Sequence, residues 1–283
     1  MNIISKMKQL KHLTPNEQTL VDFILKDVDA FLKLKRKDIA IEAFVSVSTI
    51  YRLVDKLKLN GINEFKLQLL SSLQETGLDS NHLDYNFPVD ESDSIHEIIS
   101  NLRQLEHKSL EETMFLFDTD ELLEIINQIK PHTIIDIYTS SSNIYFAKNF
   151  QFQMSEIGRV VNVPEENYFQ RITAANSDEN HFPIIMSFGG RGITTQEVIE
   201  ILENKKQDFC LIGSTENKWI KKAKYNITIP SLEDHYNKIS SFGSRLSLLY
   251  IFDVLYTSIF NLNYEENLKF KLEAYKRINT NLD

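Results

Sequence analysis

Beyond Pro131 the chain keeps repeating one pattern, a short apolar run followed by an amphipathic stretch. The runs are Thr133–Tyr138, Arg159–Val163, Pro183–Phe188, Asp208–Ile212 and Asn226–Ile229, and the stretches between them lie near 143–157, 166–175, 194–204 and 216–223. Strands separated by helices must run parallel, because each return crosses a face of the sheet rather than turning back in a hairpin. The expectation is a five-stranded parallel sheet flanked by helices on both faces. A long helix over 240–261 closes this part, and the charged tail 263–283 is expected to be helical in part. Upstream the character changes: helical stretches cover 94–115 and 120–130, and everything before residue 76 reads as helix. Between these lies a polar, turn-rich segment. The chain therefore divides into an all-α domain over 1–76, a linker over 77–93 and an α/β domain over 94–283.

Charge supports the same division. The net charge of −9 argues at first against a nucleic-acid partner. Residues 1–77, however, carry 12 Lys and Arg against 9 Asp and Glu, a net of +3, and the remainder carries −12. A mildly basic head on an acidic body fits a DNA-binding domain joined to a sensor. No run approaches the roughly 18–20 apolar residues that span a membrane. The first residues show no export signal, so a cytoplasmic, membrane-free protein is expected. Cys210 is the only cysteine, which excludes an intramolecular disulfide. In the run Phe209-Cys210-Leu211-Ile212 it reads as a small core residue rather than a nucleophile.

The head carries specific signals. Thr14-Pro15-Asn16-Glu17 is a capping box with proline at the first helical position, and the helix it opens buries Leu20, Val21, Ile24, Leu25 and Val28. Residues Arg36 to Leu57 then read as two short helices. The first turns Ile39, Ala40 and Ala43 inward, and the second, capped by Ser46, buries Ile50, Leu53, Val54 and Leu57. This leaves Ser48, Thr49, Tyr51, Arg52 and Lys56 outward. Together with Ser46, these are the candidate DNA contacts: hydroxyls and amides at the helix start suit phosphate oxygens, and the Arg52 fork suits guanine or phosphate. Asp55 on the same helix opposes phosphate. Phe44 fills the turn where glycine is common, so no left-handed conformation is expected there. A plain helical bundle with a solvated polar face is the competing reading.

The pieces Leu13-Thr14-Pro15-Asn16-Glu17, Asp38-Ile39-Ala40, Val45-Ser46-x-x-Thr49-Ile50-x-Arg52 and Asn60-Gly61-Ile62-Asn63-Glu64-Phe65-Lys66 occur in order. Together they resemble the N-terminal helix-turn-helix domain of the RpiR family of bacterial transcription regulators, whose DNA-contacting helix corresponds to residues 46–57. The resemblance implies that the second domain is of the SIS (sugar isomerase) type, sensing a phosphorylated sugar. Ligands of parallel sheets bind beyond the carboxyl ends of the strands, and phosphate favours helix N-termini.

Two loops then become the ligand-site candidates: Ser140, Ser141, Ser142 and Asn143 after the first strand, and Ser187, Gly189, Gly190, Arg191, Thr194 and Thr195 after the third. Both depart from the SIS pattern. Thr139, Ser141 and Asn143 stand where the first loop usually has two glycines and a serine. Gly189 and Gly192 stand where the second usually has serine and threonine, unless an insertion lets Thr194 or Thr195 serve. Arg191 offers compensation through a bidentate contact. Ordinary strand-to-helix turns remain the alternative. Ser240, Ser241 and Ser244, opening the long helix, are secondary candidates.

No catalytic residue, cofactor or metal is expected: His96-Glu97-Ile98-Ile99-Ser100 lacks the second histidine of a zinc-protease helix, and no serine elbow, phosphate loop or dinucleotide fingerprint occurs. A sugar-phosphate isomerase would need a base at its substrate carbon. Glu197, Glu233 and His235 are the candidates, each weighed against plain solvated charge. Three classes stand open: a ligand-responsive regulator of sugar metabolism, an isomerase with an accessory helical domain, and a regulator whose SIS domain only dimerises. The first implies a homodimer or homotetramer on a double-stranded, roughly palindromic DNA operator.

Overall fold

The computed structural model describes residues 3–8, 10, 12–74, 83–129 and 134–279. They form two compact units, Met1–Asp84 and Tyr85–Asp283. Residues 77–82 of the expected linker lie outside the described residues. The second unit takes in Tyr85–Asp93, where Asn86 accepts the amides of Asp234 and Ile239.

The first unit is all helical: α1 (Ile3–Lys8), α2 (Pro15–Lys26), α3 (Val28–Lys33), α4 (Arg36–Glu42), α5 (Val47–Lys56) and α6 (Ile62–Gln74). The capping box at Thr14 and Glu17 forms with both reciprocal hydrogen bonds. The helix it opens stops sooner than its periodicity implies. Asp27 adopts an extended backbone and its side chain accepts the Ala30 amide, which caps α3 and leaves Leu25 and Val28 half-buried. The core gathers Leu20, Ile24, Phe31, Ile39, Ile50, Leu53 and Phe65, and α5 packs against α2, α4 and α6.

The turn between α4 and α5 differs from expectation. Phe44 is left-handed, with φ +53°. The amides of Phe44 and Val45 donate to the carbonyls of Ile41 and Ala40, the paired closure of a Schellman motif. That closure requires a left-handed residue whatever its side chain. Phe44 meets the requirement at the cost of strain, and its ring is 91% exposed.

In the second unit α7 (Ile95–Leu116) and α8 (Thr119–Ile129) precede the sheet. Strands β1 (Ile134–Tyr138), β2 (Val160–Asn162), β3 (His181–Met186), β4 (Cys210–Ser214) and β5 (Tyr225–Ile229) are all parallel, in the order β2-β1-β3-β4-β5. Helices α9 (Asn143–Ser155), α10 (Asn167–Asn176) and α11 (Ile193–Asn204) connect the first four strands, and α12 (Phe242–Leu262) and α13 (Tyr264–Ile278) end the fold. Of the expected strand Thr133–Tyr138, Thr133 lies outside the described residues, as does Lys130 of the preceding helical stretch.

Side-chain alternation divides the sheet between two cores. On β3, Phe182, Ile184 and Met186 join Phe150, Met154, Phe252 and Leu255 on one face. Ile185 joins Val198, Ile199 and Leu202 on the other. Cys210 is buried, and burial pushes its thiol pKa up, consistent with a core residue. The helix expected over 216–223 does not form. The segment is a series of turns in which Asn217 spends its side chain on neighbouring backbone, in competition with helical hydrogen bonds. Among the described residues no single helix is long and apolar enough to cross a membrane.

Replacing Phe44 by glycine removes the left-handed strain without opening a core cavity. The Phe44→Gly chain should be more resistant to urea by about 0.5–1 kcal/mol, read by far-ultraviolet circular dichroism. Lower stability would show that the Phe44 ring supports the fold.

Candidate DNA-reading helix and ligand crevice

Helix α5 carries the candidate DNA contacts of the first unit. Ser46 caps it: its Oγ accepts the Thr49 amide at 3.2 Å and lies 2.7 Å from Ser48 Oγ. Ser46, Ser48 and Arg52 are exposed, and Tyr51 is 39% exposed. Arg52 Nε donates to the Ser48 carbonyl at 3.3 Å, which lays the guanidinium along the exposed face. Arg36, on α4, had no place among the sequence candidates. Its Nη1 donates to the Tyr51 hydroxyl at 2.8 Å, so a second guanidinium stands beside the helix. The only signal for it was its position in the basic run Lys35-Arg36-Lys37.

One expected contact is corrected. Thr49 is 1% exposed. Its hydroxyl lies 2.9 Å from Ser46 Oγ, because position 49 falls at the edge of the stripe holding Ile50 and Leu53. It therefore serves the cap and the core. Lys56 is exposed but also engaged within the unit. Its Nζ donates to Glu17 Oε2 at 2.6 Å and to the His12 carbonyl at 3.0 Å. Glu17 is buried, and the Lys56 hydrogen bond, followed by the Thr14 amide, holds its pKa below the ordinary glutamate value. Lys56 thus pins α5 to the start of α2.

The second unit offers a crevice set by strand order. β1 passes the chain outward to β2, whereas β3 passes it the other way to β4. The loops leaving neighbouring β1 and β3 diverge, and a crevice opens at the carboxyl ends of the strands. Both candidate loops lie there. Thr139 bridges their bases, its Oγ1 donating to the Met186 carbonyl at 2.8 Å. In the first loop Ser140, Ser141 and Ser142 are exposed and Asn143, half-buried, opens α9; Ser141 is left-handed at φ +56°. In the second, Ser187 and Gly189 are half-buried, Gly190 is buried and Arg191 is exposed. Thr194 and Thr195, half-buried, fall in the first turn of α11, and its amides open toward the loop.

Of the residues proposed as a base, Glu233 is not the solvated charge that was expected. It is 7% exposed and accepts from the amides of Gly243 and Ser244, from Ser244 Oγ and from Lys238 Nζ. Its carboxylate thus occupies the N-terminus of α12 and takes Ser244 out of the set of free hydroxyls. Glu197 pairs with Arg171 at 3.4 Å. His235 stands exposed against Tyr236, and its pKa is lowered first by desolvation and then by the charges of Arg191 and Lys238. Arg191 and Lys238 therefore both lie close enough to His235 to disfavour its charged form.

The fold and these two sites define a class, a helix-turn-helix domain joined to a SIS domain. Residues 1–76 match the model of the helix-turn-helix domain of the rpiR family, and residues 129–258 match that of the SIS domain. The chain thus carries an rpiR-family helix-turn-helix domain followed by a SIS domain. It is 23% identical to an HTH-type transcriptional regulator of Clostridium perfringens, over 98% of this chain and 99% of that one. Among solved structures, the Vibrio vulnificus NanR protein complexed with ManNAc-6P is similar at a TM-score of 0.59 and 16% identity, covering 98% of both chains. The sugar isomerase domain of an RpiR transcription factor from Sphaerobacter thermophilus matches with a TM-score of 0.52 and 12% identity, over 64% of this chain and 97% of that one.

Lys56→Ala leaves the buried Glu17 carboxylate without its partner. It should cost about 1–2 kcal/mol at pH 7 in urea unfolding followed by circular dichroism. Because the folded-state pKa of Glu17 lies below the ordinary glutamate value, the contribution of its charged form is present above that ordinary value and is lost as the pH falls through the lower one. The difference between variant and wild type should shrink accordingly. A pH-independent difference would contradict the ion pair.

Proposed function

We propose that this chain is a DNA-binding transcription regulator of sugar metabolism, whose α5 reads a double-stranded operator and whose SIS domain responds to a phosphorylated sugar. The observation that carries the reading is the two-sided character of α5. One side is core through Ile50, Leu53 and Val54, and the other presents Ser46, Ser48, Tyr51 and Arg52 to solvent, with Arg36 alongside. The terminal nitrogens of Arg52 make no hydrogen bond among the described residues, so the fork is available to a guanine edge or a phosphate. A helical domain that merely met water would have no need of two guanidiniums along the open side of one helix.

The ligand reading rests on the SIS domain, on the crevice between the loops after β1 and β3, and on the positive charge of Arg191 in the second of these loops. The proposed contacts are Ser140, Ser141, Ser142 and Asn143 on one side, and Ser187, Gly189, Gly190, Arg191, Thr194 and Thr195 on the other. The sugar phosphate in the NanR complex supports a phosphorylated sugar as ligand class. The protein acts in the cytoplasm, as a homodimer or homotetramer, without a cofactor. It is no enzyme in this reading. The Glu233 carboxylate, a candidate isomerase base, is spent on the amides of α12 and on Lys238.

Selection from random-sequence DNA with the full chain identifies the operator. Arg52→Ala should then weaken operator binding by about 1–3 kcal/mol, roughly 5- to 150-fold, in a gel shift at fixed salt. Unchanged affinity and sequence preference would remove Arg52 from the reading.

A further inference from the structure

The second loop, Ser187–Gly192, is held from behind by two side chains of the β4–β5 segment, and this arrangement bears on how a phosphate is bound. Asn217 is buried, 2% exposed. Its Nδ2 donates to the carbonyls of Ser187 at 2.6 Å and Phe188 at 3.2 Å, while its Oδ1 accepts the Trp219 amide at 3.0 Å. Trp219 Nε1 then donates to the Gly190 carbonyl at 2.8 Å. Lys218 and Lys222 lie over the indole at 4.7 and 5.2 Å from its ring centre.

Two glycines make the fit possible. Gly190 is left-handed at φ +68°, and a Cβ there would stand 2.5 Å from both Asn217 Oδ1 and Trp219 Cδ1. A Cβ at Gly213 would stand 2.7 Å from Asn217 Nδ2 and from the Ser187 carbonyl. Neither contact is tolerable, so the clamp and the two bare positions depend on each other.

The carbonyls of three loop residues are thus committed to one side. Among the described residues, the amides of Gly189, Gly190, Arg191 and Gly192 donate no hydrogen bond. Successive amides freed in this way can converge on an anion. We infer that Asn217 and Trp219 are positioning residues for the ligand phosphate: by holding the loop's carbonyls they present its amides as donors to a phosphomonoester.

This inference rests on the ligand reading above, and the test separates the two. The chain has 8 glycines, so a sample labelled with nitrogen-15 glycine resolves the loop amides directly. Inorganic phosphate titrated into the full wild-type chain should shift Gly189, Gly190 and Gly192 together. Trp219→Phe keeps an aromatic ring and deletes only the donor; it should weaken phosphate binding at these amides by roughly 3- to 10-fold, with the melting temperature within a few degrees of wild type. Asn217→Ala should weaken it by tenfold or more. A change in melting temperature alone, with the loop shifts and phosphate affinity of Trp219→Phe unaltered, would overturn the positioning role and leave the ligand reading standing. If wild-type loop glycines fail to respond to phosphate, both fall. Should Asn217→Ala fail to fold, Trp219→Phe still decides.

Discussion

A parallel sheet whose chain direction reverses between two neighbouring strands must open a crevice, because the loops leaving those strands part company. Here the reversal falls between β1 and β3, and nearly every feature of the proposed ligand site follows from it. The first loop departs toward α9 and the second toward α11. Thr139 ties their roots together through the Met186 carbonyl. The hydrophobic faces of β3, packed on one side against Phe150 and Phe252 and on the other against Val198 and Leu202, hold the reversal in place. The polar groups at its mouth are left for chemistry because the apolar ones are spent on burial.

A comparable division of labour operates in the helical unit. Helix α5 can turn one side to the core and leave the other open only if both its ends are secured without using its exposed face. Ser46 secures the start through its own cap, and the Schellman closure at Phe44 brings the chain into it. Lys56 secures the end through Glu17, a carboxylate already engaged in the capping box of α2. A buried carboxylate shared by a cap and an ion pair couples the start of one helix to the end of another.

What could be read from the sequence was what depends on local pattern. The five apolar runs, the Thr14-to-Glu17 box and the Ser46 cap each announce themselves within a few residues, so the element order followed. The departures share another cause. Lys56 finds Glu17 across 39 positions and Asn217 finds Ser187 across 30, partnerships that no local window contains. Glu233 reads as surface charge until the fold places it under the start of α12. Thr49 sits on the boundary between the buried and open sides of its helix, where periodicity cannot choose. Phe44 was misjudged because the hydrogen bonds that close α4, rather than the residue type, dictate its backbone. Helix α5 was therefore legible as an element but only partly in which of its side chains are exposed, and the clamp behind the second candidate loop was not legible at all.

The two units are joined in one chain, and the central claim is that occupancy of the crevice changes the affinity of α5 for DNA. Fluorescence anisotropy of a labelled operator, titrated with the full chain with and without each of a panel of phosphorylated sugars at constant salt, measures that coupling. The account predicts that at least one phosphorylated sugar shifts the dissociation constant about fivefold or more, on the order of 1 kcal/mol of coupling, while its unphosphorylated form does not. A phosphorylated sugar that binds, as seen in the fluorescence of Trp219, yet leaves operator affinity untouched would contradict it.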